Sequence, residues 1–138
     1  MINFFKQQHT IPLLVIVLLC HTPSIFAIED TEESLAYVSL DSPLVVNIFS
    51  QDSVHFMQVN TDFQLKDASL APIFELHMAA VKHSLMLLFS EKRFFEMKTI
   101  KGKLQLRKDA LKAVQQVMLD KTGNTTVKNI FFTSLILQ

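Results

Sequence analysis

The stretch MQVNTDFQLK, residues 57–66, alternates without a break. Met57, Val59, Thr61, Phe63 and Leu65 fall on one side, and Gln58, Asn60, Asp62, Gln64 and Lys66 on the other. A repeat of two residues gathers one chemistry onto one face only in an extended backbone. The segment is therefore a strand with one buried and one wet face, and the chain must supply both a pairing partner and a cover for it. LVVNIF, residues 44–49, follows a Ser-Pro start, is rich in β-branched and apolar residues, and reads as a neighbouring strand. Between Val54 and Phe56 the alternation slips in phase, which places a bulge or the strand's start there.

A third strand is expected over Val127–Leu137. The closing stretch NIFFTSLILQ has six apolar residues in ten. Simple alternation puts Phe131, Leu135 and Leu137 on one face and Ile130, Phe132 and Ile136 on the other. Apolar residues on both faces predict a central strand covered on both sides. Ladder hydrogen bonds and core contacts would then hold a chain end that otherwise frays.

The residues between the strands carry a helical period. Asp67 or Ser69 can cap a helix whose first turn holds Pro72, a position where proline is tolerated. Leu70, Phe74, His77, Val81, Leu85 and Leu88 follow at three- and four-residue steps. SLMLLF is apolar on all sides, so that end is either deeply buried or docked against something. A short helix is expected around RFFEMK. Thr99 can cap a further one, with Leu104, Leu111, Val114, Val117 and Met118 inward and Lys103, Arg107, Lys108 and Lys112 outward. Gly123 ends it. The fold class that follows is α+β: a small sheet whose buried C-terminal strand packs against two or three helices.

Residues 1–27 read as a signal peptide or an N-terminal anchor. Lys6 and the amino terminus precede an apolar run of ten residues, Ile11–Cys20. A spanning helix needs about 20, whereas a run of 10–14 suits a signal peptide. Ala27 offers a small residue for cleavage before Ile28, although Ile25 is larger than such sites prefer. Cleavage would give a periplasmic product; retention would leave it anchored in the inner membrane. Cys20 is the only cysteine, so the part that follows stands on its packing alone. Residues 28–42 form an acidic lead-in, and residues 43–138 the domain.

Composition excludes several functions. A formal net charge of +0 gives no field for nucleic acid, and 2 glycines leave little for phosphate-cradling loops. TIKGK lacks the preceding glycine and following Ser/Thr of a P-loop. His77 and His83 are six apart and face different ways, so they cannot share a metal, and His55 reads as structural or surface. Glu91 and Glu96 stand among Lys92, Arg93 and Lys98 as local ion pairs rather than an acid/base site. The expectation is a non-enzymatic chain with no cofactor, metal or catalytic residue. Charge is uneven: residues 29–67 hold eight acidic groups against Lys66 alone, and later residues eleven basic against five acidic. This describes either a head-to-tail assembly or a solvated helix face behind an acidic leader.

Four apolar residues are the candidate partner or ring contacts. Phe94 and Phe95 are adjacent on a short helix and cannot both point inward, while Met86 and Phe89 lie on the all-round apolar turn.

Several segments together resemble a known family. LMLLFS (Leu85–Ser90), TIKGK (Thr99–Lys103) and IFFTSLILQ (Ile130–Gln138), with the earlier LDSPLVVNI, are similar in order and spacing to FliL, the flagellar basal-body-associated protein. The resemblance runs from about Tyr37 to Gln138. Lys101 stands where the family often has an acidic residue, Lys82 where it has arginine, and the N-terminal segment is shorter than its usual anchor. The resemblance implies a stomatin-like domain in the periplasm near the inner membrane that forms homo-oligomers, rings included. Its implied partners are the flagellar stator, through the peptidoglycan-binding subunit, and another FliL. The function so implied is support of stator engagement and motility. The rival reading is a soluble periplasmic binding or chaperone-like module unrelated to a motor.

Overall fold

The computed structural model describes residues 36–51 and 53–138. The signal segment, the Ala27/Ile28 boundary and the acidic lead-in up to residue 35 lie outside the described residues. The elements are β1 (Tyr37–Ser39), β2 (Leu44–Phe49), β3 (Val54–Leu65), a 3-10 turn (Ala68–Leu70), α1 (Ala71–Leu76), α2 (Met78–Ser90), α3 (Phe94–Met97), α4 (Ile100–Thr122) and β4 (Val127–Leu137). Four antiparallel strands and a helical layer make an α+β fold.

The alternating segment is the middle of the sheet. On one edge of β3 lie β1, opposite Asp62–Gln64, and β2, opposite Val54–Val59; on the other edge lies β4. The β2 register is unbroken from Val54 to Val59, so the phase slip is no bulge: Val54 and Phe56 are simply apolar residues on the wet face.

Among the described residues the C-terminal strand is therefore an edge strand and not the central one expected. Its apolar residues also sort differently. Val127, Ile130, Phe132, Leu135 and Leu137 oppose Leu65, Phe63, Thr61, Val59 and Met57, all buried. Phe131 and Ile136 oppose Asp62 and Gln58 on the open face. Register shifts opposite Asn60/Thr61 and Gln64/Leu65 reverse the phase, so one apolar face looks like two in the sequence. The end is nonetheless held: the Phe56 N–H donates to the Gln138 carbonyl (2.8 Å) and the Gln138 N–H to the Phe56 carbonyl (2.9 Å).

β1 lies within the stretch read as lead-in, so the folded body begins by Tyr37 rather than at residue 43.

Helices α2 and α4 cover one face of the sheet, α2 against β2 and α4 against β4. Phe63, Phe74 and Phe89 are fully buried there, each worth about 2–3 kcal/mol of transfer free energy. Phe63 meets Phe74 at 5.0 Å, and Phe89 meets Phe132 edge-on at 5.8 Å. The first expected helix is two: α1 and α2 break at His77, whose φ of −102° and ψ of 10° leave the helical range. In α4 the buried stripe is Leu106, Ala110, Val114 and Met118, whereas Leu104, expected inside, is exposed. Thr99 caps the start, accepting from the Gly102 N–H, and Gly123 closes the end at φ 76°. Among the described residues no helix is long and apolar enough to cross a membrane.

Candidate partner surface

One end of the molecule gathers the β2–β3 turn, the end of β4 and the short helix α3. Arg93 precedes α3 and forms a parallel bridge with Phe49 at the end of β2, which ties the α2–α3 turn to the hairpin. With only four residues, α3 can turn inward just the pair three apart. Phe94 and Met97 are buried, and Phe95 and Glu96 project outward.

That geometry divides the four candidate contacts. Phe95 is 63% exposed and Met86 stands at the surface of α2. Phe89 is a core residue, because position 89 continues the Val81–Leu85 stripe facing the sheet; it cannot meet a partner. Phe94 is likewise buried, at 8% exposure.

Phe94 is locked from several sides. The His55 imidazole stacks on it with centroids 3.6 Å apart and planes 9° from parallel. His55 Nδ1 donates to the Gln138 carbonyl (3.1 Å), so its Nε2 is left to accept from the Ser53 hydroxyl (2.8 Å). Lys98 Nζ lies over the same ring at 4.5 Å. Phe95 meets Phe94 edge-on at 5.8 Å, so its exposed ring stands on a fixed base.

Two open grooves flank Phe95, which lines both. The larger, about 700 Å³, is bounded by Phe49, Ser50, Gln51, Glu91, Arg93 and Glu96. The other, about 530 Å³, runs along the start of α4 past Met97, Lys101, Leu106 and Asp109. Apolar walls with charges of both signs suit contact with a polypeptide partner.

The ion pairs differ from those expected. Among the described residues Glu91 and Glu96 form none; Lys92 instead pairs with Asp109 of α4 at 3.0 Å. Partial burial pushes the Asp109 carboxyl up, but hydrogen bonds from Gln105 and Lys92 and the charges of Lys92 and Lys112 outweigh it and hold it below the usual range. At the far end a hydrogen bond from Lys82 lowers Asp41.

The glycine of TIKGK has a packing role. A Cβ on Gly102 would stand 2.0 Å from the Glu96 carbonyl oxygen, so only glycine lets α4 start this close behind α3. Its N–H is spent on the Thr99 cap. Sequence reasoning missed Phe49, and it read His55 as structural or surface without its partners. Phe49 was visible as the outward phase of LVVNIF; the partners of His55 are too distant in sequence to be seen.

The fold is a small α+β module that carries an exposed Phe95 between two grooves. The chain matches the family described as flagellar basal body-associated protein FliL over residues 37–138. It belongs to the FliL family, a family of flagellar accessory proteins. Comparison with curated proteins finds no match.

Proposed function

We propose that this chain is a non-enzymatic accessory protein of the bacterial flagellar motor that supports stator engagement from the periplasm. The observation that carries the proposal is the family match across residues 37–138, which covers every strand and helix described above. The exposed Phe95 between two grooves, with Met86 on α2, supports contact with another protein as the mode of action. The stator's peptidoglycan-binding subunit, or another FliL, is the partner proposed. Localisation follows from the N-terminal segment, read as an export signal or anchor.

The test is swimming of a deletion strain over a range of medium viscosities, with complementation by the full-length gene. Loss that deepens with viscosity while filaments still assemble is the expected result. Unchanged swimming at every viscosity would remove the stator role and turn attention to a periplasmic binding module.

A further inference from the structure

The uneven charge of the sequence collects on one helix. Between residues 97 and 119 stand Lys98, Lys101, Lys103, Arg107, Lys108 and Lys112, with Asp109 as the one carboxylate. Asp109 is already paired with Lys92 at 3.0 Å and accepts a hydrogen bond from Gln105. Among the described residues Lys101, Lys103, Arg107, Lys108 and Lys112 enter no ion pair, and all but Arg107 are exposed. A chain whose formal net charge is +0 therefore carries one strongly basic surface, on α4.

Aliphatic side chains stand in the same surface. At about 100° per residue, Ile100, Leu111, Leu104, Lys108, Lys101 and Lys112 fall within an arc of about 120°. Leu106, a core residue, lies opposite the centre of that arc. Ile100 is 79% exposed and Leu104 about half exposed, so neither serves the core. A face meant for water alone gains nothing from aliphatic side chains set among lysines. The pattern is that of a basic amphipathic helix whose apolar residues remain uncovered.

We infer that this face of α4, from Ile100 to Lys112, docks on the surface of an anionic phospholipid bilayer, with the helix axis in the plane of the headgroups. Charge complementarity and side-chain form select the same occupant. Lys101, Lys108 and Lys112 reach lipid phosphates on flexible stems, while Ile100 and Leu104 enter the boundary between headgroups and acyl chains. A nucleic acid would take the lysines and leave both aliphatic side chains wet. An acidic protein surface would need a socket for each, whereas a bilayer receives a protruding side chain wherever it falls. A few cations and two aliphatic residues give reversible attachment, far weaker than a spanning helix. Phe95 takes no part in it, so the inference does not depend on the motor reading.

A fluorescent label on the face tests it in the full chain. With Cys20 replaced by Ala, Ile100→Cys carries an environment-sensitive dye, and Leu76→Cys, 72% exposed on α1, is the control. Vesicles containing phosphatidylglycerol should shift the emission at position 100 to the blue and raise it severalfold, and vesicles of phosphatidylcholine alone should not. The label at position 76 should respond to neither, which separates docking of this face from any insertion of the N-terminal segment. Each Lys beside an anionic bilayer is worth about a fivefold gain in binding. Lys101→Gln with Lys108→Gln should therefore cut the response at least about tenfold, with the thermal melt unchanged. Salt at about 1 M, where the screening length is about 3 Å, should abolish it. No response to phosphatidylglycerol, or an equal one to phosphatidylcholine, would overturn the inference. So would an equal response at position 76, or one that survives the salt or the two glutamines.

Discussion

The His55 ring lies flat on Phe94, with 3.6 Å between centroids, and through its nitrogens joins the start of β3 to the last residue of the chain. This contact unites three segments that share no other close feature of sequence. Replacing His55 with Ala removes a stack and two hydrogen bonds, and should cost about 2 kcal/mol. His55→Phe should recover part of the loss, since it restores the ring without the hydrogen bonds. Urea denaturation of the three proteins measures both; equal stability of wild type and His55→Ala would show the stack to be energetically idle.

Neighbouring phenylalanines should behave in opposite ways. Phe94→Ala empties a buried site and should destabilise the fold by about 3 kcal/mol or more. Phe95→Ala should change stability by less than about 0.5 kcal/mol, yet weaken complementation of swimming at high viscosity. Thermal melts and swim assays on the same pair separate the roles. A Phe95→Ala strain that swims normally would take Phe95 off the contact surface.

Gly102→Ala runs against helix propensity. In an open helix the change stabilises by about 1 kcal/mol. Here the new methyl would meet the Glu96 backbone at 2.0 Å, and a backbone atom cannot step aside like a side-chain tip. The expected outcome is a loss of about 2 kcal/mol or more, read by the denaturation midpoint. A gain in stability would mean that α3 moves freely relative to α4.

The Lys92–Asp109 pair predicts a response to acid. Because the Asp109 carboxyl titrates below its unfolded value, its stabilisation is complete above about pH 4 and fades as pH falls through the lower folded value. Asp109→Asn should therefore be less stable than wild type by about 1 kcal/mol at pH 7, with the gap narrowing as pH falls below about 4. A gap that does not narrow at all as the pH is lowered through the acid range would assign the effect to the shape of the side chain and not to its charge.

Local signals were legible in the sequence, and distant pairings were not. Thr99 and Gly123 bound α4 because a cap is written within three or four residues of itself. The strand at residues 57–65 was legible because its alternation is unbroken. The place of β4 was hidden: its register shifts convert one apolar face into an apparent two, which imitates the pattern of a central strand. Leu104 was misplaced because, near the start of α4, the apolar period does not reveal how far the sheet extends over the helix. Among the candidate contacts, the Phe94/Phe95 division was foreseen in kind, since adjacent helical positions diverge. Phe89 was misassigned because SLMLLF is apolar all round and carries no directional signal.

The pairing of β3 with β4 also governs the order of events during synthesis. His55 waits for a carbonyl 83 positions further along, and the central strand lacks one whole edge until that point. Closing so long a loop is slow compared with forming the helices between. A nascent chain emerging from a ribosome therefore stays incompletely folded until β4 has been made. It remains pliable through most of its synthesis and sets only once that strand is home.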